Sequence, residues 1–339
     1  TSTSTGTVAV TLDDDGLSGA VNATITNTAA SGTLTVANGT FADGDTLTLA
    51  GSGAISVTGL AANLVATTAT GVVTVAAVDD VSIATGEGAT TISETTGKTA
   101  TVNAEALVDG TLLTTSGAGN FTVTNLLGDL TNEATGTVSV ALDGNDAVGD
   151  VGVTITSSEA ITVANGTVGD GDTVTLVGAG AFTVTGLAAD LVVTTATGAV
   201  SVAAVDDVSI TTGSGATTIS ETAGKTALVN ATAMSDGGTL TLSGAGGFTV
   251  TGLQADLSSS ADGGALSVTT ADVATQTIAL GSGTTGTRTV NATAMTDNDV
   301  LTLTGSGALT LSSDDADVKA ASDRKSVGEG KRVAGGGPR

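Results

Sequence analysis

The sequence contains no cysteine, histidine, tryptophan or tyrosine, and its 339 residues include four phenylalanines and one proline. Without histidine or cysteine the chain cannot assemble a Ser-His or Cys-His nucleophile, and a typical zinc site is excluded. No disulfide can form, which fits an extracellular bacterial protein that relies on none and equally fits a reducing cytosol. The one proline, Pro338, lies at the end of the chain, so no Pro-rich linker separates internal segments.

Long apolar runs and basic residues are also scarce. No run approaches the roughly 18 to 20 apolar residues of a membrane span, so no span is predicted. Residues 1–318 hold three bases, Lys98, Lys225 and Arg288, against 32 acids, which gives this part a net charge of −29 and the whole chain −25. Nucleic acid is not an expected partner, because binding it requires clustered Lys and Arg. An acidic surface instead favours solubility and divalent cations.

Repetition is the feature that the chain has in abundance. Residues 36–126 recur at 163–253, and inside this long repeat lies a finer one, whose copies start at Val36, Val102, Val163, Val229 and Val290. Such self-similarity is the signature of a repeat array, in which neighbouring units complete each other's core. The pattern predicts a partial leading repeat at 1–35, a repeat pair at 36–162, a second pair at 163–289, a truncated final repeat at 290–318 and a non-repeat basic tail at 319–339.

The apolar residues alternate with Thr or Ser, as in the run from Phe182 to Thr185, and Thr is the most frequent residue of the chain. Alternation bounded by Gly, Asp or Asn predicts short strands with one buried face, and therefore an all-β fold. We expect a repeat-built β-solenoid, a parallel β-helix or β-roll-like array with coils about 4.8 Å apart. The alternative is a row of small β-sandwiches. Units of this size are short for sandwiches that lack disulfides, metals and aromatic cores. The sequence does not decide whether each coil contains two or three strands.

The segment 319–339 departs from the repeat. Six of the nine bases lie from Lys319 onward, in a string with neither alternation nor repeat register. The string resembles the translated adapter read-through found at the ends of metagenomic reading frames, which predicts that residues 319–339 are not native. The alternative is a basic tail without regular structure. Because the chain starts at Thr1 and carries no export signal, we expect an internal piece of a longer polypeptide.

Carboxylates at a repeated turn are the candidate metal ligands. One Asp recurs at the same place in all five copies of the finer repeat, and a second Asp joins it in three. Oxygen-only ligands on Gly-containing turns suit Ca²⁺, which is the one cofactor that the sequence suggests. The structural alternative is an Asp that caps its own turn. The candidate metal-ligating residues are Asp43, Asp45, Asp109, Asp170, Asp172, Asp236, Asp297 and Asp299.

No catalytic residue is predicted, and we expect that the protein is not an enzyme. The carboxylate pairs Asp79–Asp80 and Asp206–Asp207 have the chemistry of a glycosidase. However, adjacent strand positions point to opposite faces, and the aromatic residues that commonly stack on sugars are missing. A polysaccharide-acting β-helix is therefore only a remote alternative.

Two further repeated sets are interpreted as structural. One set follows the F-T-V-T-G-L-like run, and we expect its members to terminate a strand: Asn63, Asp129, Asp190, Asp256 and Asp317. The other set matches the Asn-x-Thr sequon of N-glycosylation, although its side chains are equally suited to capping turns: Asn38, Asn165, Asn230 and Asn291.

The repeated VNATAM, GTLTLSGAGGFTVTGLQADL and AVSVAAVDDVSITTGSGATTISET resemble the Thr-, Ala-, Gly- and Val-rich β-strand repeats of giant bacterial surface proteins. These are type I-secreted adhesins and S-layer-like proteins, which often contain RTX calcium-binding segments. The resemblance covers about residues 6–318. It implies an extracellular or cell-surface location and a structural or adhesive stalk whose ligand-binding domains lie outside this chain. The alternative function is a calcium-binding module that becomes rigid when Ca²⁺ binds.

Overall fold

In the computed structural model, all regular structure of the described residues is β-strand, which confirms the all-β prediction. The described residues form two compact units, divided after Val168. The structure describes residues 1–13, 19–144, 152–281, 286–305, 308–314 and 316–320.

Each unit contributes sixteen of the described strands. The strands of the first unit are β1 Val8–Thr11, β2 Asn22–Thr26, β3 Thr33–Ala37, β4 Thr46–Gly51, β5 Ala54–Leu60, β6 Asn63–Ala69, β7 Val73–Ala77, β8 Val81–Ala84, β9 Thr90–Glu94, β10 Thr99–Asn103, β11 Leu112–Gly117, β12 Asn120–Leu126, β13 Asp129–Asn132, β14 Val138–Leu142, β15 Gly152–Ser157 and β16 Ile161–Ala164. The strands of the second unit are β17 Thr173–Val177, β18 Phe182–Leu187, β19 Asp190–Val192, β20 Val200–Ala204, β21 Val208–Thr211, β22 Thr217–Glu221, β23 Thr226–Asn230, β24 Thr239–Gly244, β25 Gly247–Leu253, β26 Asp256–Ser259, β27 Leu266–Thr270, β28 Thr275–Leu280, β29 Arg288–Asn291, β30 Val300–Gly305, β31 Thr310–Ser312 and β32 Asp317–Ala320.

Within each unit, eight odd-numbered strands lie side by side in one parallel sheet and eight even-numbered strands lie side by side in the other. In the first unit β1 pairs with β3 and β2 with β4, and the same rule continues to β15 and β16. Successive strands along the chain therefore lie in opposite sheets, so every turn of the chain adds one strand to each sheet. This is a β-solenoid with two-faced coils. The predicted solenoid is confirmed, and the alternative of antiparallel β-sandwiches is not what forms.

The coils differ in length while their strands stay in register. A short coil places Leu47 opposite Leu64, whereas a long coil places Val8 opposite Leu34. The extra residues of the long coils lie in the turns between strands, because the paired segments themselves are short. Length variation at a surface turn costs little, since its backbone groups reach water.

The core lies between the two sheets of each unit and is formed by the alternate residues that the period-two pattern marks as apolar. The register places similar side chains next to each other on successive coils, for example Val36 next to Val57, Val57 next to Val75 and Val75 next to Ile92. All four of these side chains are almost completely buried. Regular stacking lets small aliphatic side chains fill the interior without large rings. All four phenylalanines are also buried in it.

The same column of inward positions continues into polar residues. Thr115 pairs with Ile92, Asn132 pairs with Thr115, and Ser157 pairs with Asn132. The Thr115 hydroxyl donates to Asn132 Oδ1 at 2.9 Å, and Asn132 Nδ2 donates to Ser157 Oγ at 3.0 Å. All three polar residues are buried, and the bonds between them satisfy groups that would be costly to leave unpaired.

A recurring Gly-x-Gly (G-x-G) motif forms the corner at a strand end, as at 117–119 after β11 and at 244–246 after β24. Its first glycine has a positive φ, 89° at Gly117 and 91° at Gly244, which L-residues with a side chain rarely adopt. Its second glycine lies against the residue one coil below: a Cβ on Gly119 would stand 2.2 Å from Glu94 Cγ, and one on Gly246 would stand 2.1 Å from Glu221 Cγ. The motif thus makes room for a side chain of the preceding coil.

The predicted repeat boundaries do not coincide with whole coils. Val36 lies in β3, Val102 in β10 and Val163 in β16, so one copy of the finer repeat advances by seven strands and the next by six. Lys319, the first residue of the predicted basic tail, belongs to β32 and is paired with Thr302 of β30. The remainder of the proposed tail, residues 321–339, lies outside the described residues.

Candidate functional site

The first Asp of each repeated turn lies in the loop that precedes a strand. These loops lead into β4, β11, β17, β24 and β30, and the five side chains are exposed. In the part of the chain that the structure describes, no three carboxylates come together in an arrangement that could surround a metal ion. The calcium hypothesis stays a prediction for Asp43, Asp109, Asp170, Asp236 and Asp297.

The second Asp of the turn has a structural role in all three copies. Asp45 accepts hydrogen bonds from the backbone N–H of Val21, at 2.8 Å, and from that of Ala42, at 3.0 Å. These two bonds hold the pKa of the Asp45 carboxyl below its ordinary value. Asp172 accepts from Gly169 N at 2.9 Å. Capping of its own turn, the alternative to metal binding, is therefore what the structure shows for Asp45 and Asp172.

Asp299 follows the same pattern in the last copy. Its Oδ2 accepts from the backbone N–H of Thr296 at 2.6 Å and from the Thr296 hydroxyl at 3.0 Å. The backbone hydrogen bond is the main reason that the pKa of Asp299 lies below its ordinary value. In all three copies the carboxylate bonds a backbone N–H three positions earlier, which closes the turn.

The set that was expected to terminate strands begins them instead. Asn63, Asp129, Asp190, Asp256 and Asp317 are the first residues of β6, β13, β19, β26 and β32. Four of their side chains accept a backbone N–H from the second or third residue of the strand on the next coil. The bonds are Ser82 N to Asn63 at 3.3 Å, Thr154 N to Asp129 at 2.8 Å, Ser209 N to Asp190 at 2.8 Å and Thr277 N to Asp256 at 2.7 Å. The prediction failed because an Asp between two apolar runs marks a boundary without saying on which side of it the strand lies.

One cluster combines a buried carboxyl with charged surface groups. Glu94 is 2 % exposed at the end of β9, and its Oε1 accepts from Thr95 N at 2.7 Å. Its Oε2 is buried without a hydrogen-bond partner. At the surface nearby, Lys98 Nζ lies 2.5 Å from Asp79 Oδ1 and 3.7 Å from Asp80 Oδ2. Burial raises the pKa of Glu94, and the negative charges of Asp80 and Asp79 raise it further.

The second unit contains the same cluster. Glu221 is 2 % exposed, its Oε1 accepts from Thr222 N at 2.8 Å, and its Oε2 is also buried without a partner. Lys225 forms an ion pair with Asp206 and a longer one, 3.6 Å, with Asp207. Burial is again the main cause that raises the pKa of the glutamate, and the hydrogen bond from Lys225 lowers the pKa of Asp206.

The carboxylate pairs are placed differently from the prediction. Asp79 and Asp80 lie in a bend between β7 and β8, so both reach Lys98 instead of pointing to opposite faces of a strand. Asp80 Oδ1 also accepts the backbone N–H of Thr99, which begins β10, at 2.8 Å. Both carboxylates are thus engaged in holding adjacent coils together, an arrangement unlike the free acid and base of a hydrolase.

Two of the four Asn-x-Thr asparagines are buried. The amide groups of Asn38 and Asn165 donate to the carbonyls of Phe41 and Val168. Asn230 and Asn291 are exposed, and each accepts from the backbone N–H two positions further along the chain. The turn-capping interpretation is therefore confirmed for all four.

Open depressions lie on the surface of the described residues in each unit. One open depression in the first unit is lined by residues that include Thr67, Asn103 and Glu105, and one in the second unit includes Asp170 and Asp190. No helix among the described residues is long and apolar enough to cross a membrane. Comparison with protein families, with curated proteins and with solved structures finds no match for this chain.

Sequence reasoning missed the buried glutamates. Glu94 follows Thr90 and Ile92 at alternate positions of one strand, so the period-two pattern already marks it as inward-facing. A charged residue at an inward position is a signal that the sequence contains. The glycines that accommodate it, Gly117 and Gly119, lie one coil further along the chain, and only the coil register brings them to it.

Proposed function

We propose that this chain is a non-enzymatic structural or adhesive spacer region of a large, exported bacterial cell-surface or secreted protein. The observation that carries the proposal is the continuous pairing of strands from coil to coil through each unit. A stack of this kind resists extension along its axis, because stretching must break several backbone hydrogen bonds per coil together. Spacing and load-bearing need no cleft and no ligand.

The surface chemistry supports an extracellular role. The chain has a net charge of −25, and its outward strand positions carry mainly Thr, Ser and Ala. A negative surface keeps such a protein dispersed, which suits a segment that projects other domains into the medium. The carboxylates that would suggest hydrolysis are used in turn caps and ion pairs, which supports a non-enzymatic role.

Single-molecule stretching between two marker domains of known unfolding length tests the proposal. A spacer is expected to unravel coil by coil, and each coil should release roughly 6 to 9 nm at about 3.5 Å per residue. The same two marker domains joined directly provide the control. Extension of the chain without resisted steps of this size would contradict a load-bearing function.

Calcium binding is the alternative proposal, and the recurrence of five exposed Asp side chains before equivalent strands favours it. Millimolar Ca²⁺ is then expected to raise the melting temperature more than Mg²⁺ at equal ionic strength, because a flexible multi-oxygen site distinguishes the two ions. The triple variant Asp43→Asn, Asp170→Asn, Asp297→Asn should abolish the difference. Equal stabilisation by both cations indicates charge screening alone and defeats the alternative.

A further inference from the structure

The position beneath the G-x-G corner is occupied by different residues in different coils. It holds Asn27 beneath Gly51, Glu94 beneath Gly117 and Glu221 beneath Gly244. An amide and a carboxyl are therefore both compatible with this backbone corner. Glutamate is not required to build it, so its presence in two coils calls for another explanation.

The amide at this position is fully satisfied, while the carboxyl is not. Asn27 Nδ2 donates to Gly32 O at 3.1 Å and to Ala54 O at 2.9 Å, and Asn27 Oδ1 accepts from Ala29 N at 3.2 Å. Glu94 has one hydrogen bond, from Thr95 N, and its Oε2 has none. A buried oxygen without a donor is tolerable in a neutral acid and costly in an ionised one.

The charged neighbours make ionisation at this position harder still. The groups that act on Glu94 are Asp79 and Asp80 on the adjacent bend and Lys98 in the turn just before β10. Lys98 is already paired with both aspartates, so its positive charge mainly offsets their negative charges and stabilises an ionised Glu94 little. The surroundings of Glu221 are the same, with Asp206, Asp207 and Lys225 in the corresponding places.

We propose that Glu94 and Glu221 are two pH-sensitive latches, which hold their G-x-G corners closed when protonated and loosen them when ionised. The corner has no room to hydrate a carboxylate, because Gly119 and Gly246 pack directly on the glutamate side chains. Ionisation must then lift the corner. The bonds that it would weaken are those from the backbone N–H groups of Gly119 and Gly246 to the glutamate carbonyls, both 3.0 Å.

The direction of the pH effect follows from the burial. The pKa of each glutamate is raised in the folded state. The stabilisation that the protonated glutamate gives the folded state is therefore complete below the ordinary glutamate pKa and is lost as pH rises through the raised pKa. The melting temperature of the full chain is therefore expected to fall over this interval. The double variant Glu94→Gln, Glu221→Gln should lose this fall and melt several degrees higher than the native chain at neutral pH.

A matched control separates the latch from general charge repulsion. The double variant Glu87→Gln, Glu105→Gln removes the same two charges from exposed positions and is expected to retain the fall in melting temperature. A native-like fall in the Glu94→Gln, Glu221→Gln variant would overturn the proposal. Loss of the fall in melting temperature in both double variants would also overturn the proposal, because that result would attribute the fall to net charge.

A direct titration decides the question even where a variant does not fold. The sequence contains only seven glutamates, so carbon-13 labelling of their side-chain carboxyls gives a spectrum in which each group can be followed. The Glu94 and Glu221 carboxyls are expected to titrate above the ordinary glutamate pKa. Amide exchange at Gly119 and Gly246, corrected for its intrinsic pH dependence, should accelerate over the same interval. Titration of Glu94 and Glu221 at the ordinary glutamate pKa would refute the latch.

Discussion

At the scale of single residues, acidic side chains hold neighbouring coils together. A carboxylate near the start of one strand accepts a backbone N–H near the start of the strand above it, as Asp190 does for Ser209 and Asp207 for Thr226. A buried backbone N–H is costly to leave unpaired, and the side-chain oxygen satisfies it. These acidic residues, which lie outside the candidate calcium turns, thus connect neighbouring coils.

Asp190 offers a clean test of this capping. Replacement by Ala leaves the N–H of Ser209 without its acceptor, and we expect a loss of about 1 kcal/mol in the free energy of unfolding. Asp190→Asn keeps an acceptor oxygen at the same place and should lose less. Urea denaturation measures both variants, and amide exchange at Ser209 should accelerate selectively in the Ala variant. Equal losses in the two variants would show that charge, and not the hydrogen bond, is what matters.

At the scale of elements, the G-x-G corner links one coil to the next. Its two glycines have different tasks, since the first adopts a positive φ and the second makes space for a side chain of the coil below. The sequence shows only that the motif recurs after each L-T-L-like run. The structure gives the reason: a strand end that turns over a bulky inward side chain has no room for a Cβ.

Replacing the second glycine tests this account. We expect Gly119→Ala to lower the free energy of unfolding by about 1–3 kcal/mol, because its Cβ would overlap the Glu94 side chain and the neighbouring backbone. Gly169→Ala serves as the control, since a Cβ there meets nothing within 4 Å. Thermal or urea unfolding measures both. A Gly119→Ala variant as stable as the control would contradict the close packing at the corner.

At the scale of the whole molecule, the repeats of the sequence are not separate domains within either unit. The segments that join one repeat to the next, 98–102 and 225–229, include most of β10 and β23. Each of these strands is paired on both sides, β10 with β8 and β12, and β23 with β21 and β25. A repeat junction is therefore an ordinary strand of the stack, with its backbone groups protected.

Limited proteolysis with an enzyme of broad specificity should consequently spare both junctions. Cleavage is expected first in exposed turns, where the backbone is accessible and unpaired. Mass spectrometry of the early fragments identifies the cut sites. Stable fragments the length of one repeat, with ends at 98–102 or 225–229, would contradict the paired junctions and favour a row of separately folded units.

The fold class was predictable because alternation and repetition can be recognised in the sequence without knowing which strands pair. The Val200–Ala204 run, for instance, alternates buried and accessible residues as its sequence indicates. Strand starts were less predictable, as Asp129 and Asp190 show, because a polar residue between two apolar runs marks a boundary without assigning it to either strand. The site was the least predictable part, because the hydrogen bond from Val21 to Asp45 and the packing of Gly119 on Glu94 depend on residues brought near by coil register.

The sequence by itself determined that the chain forms short, half-buried strands, that these stack as a repeat array, and that it contains no thiol or imidazole side chain. Only the tertiary structure decided how many strands make a coil and which residues face each other between coils. The period-two alternation shows which face of a strand is buried, but the lengths of the turns set the register between strands. For this reason Val36 and Val102, equivalent in the repeat, lie in different sheets of the first unit, and Glu94 lies beneath glycines of the following coil.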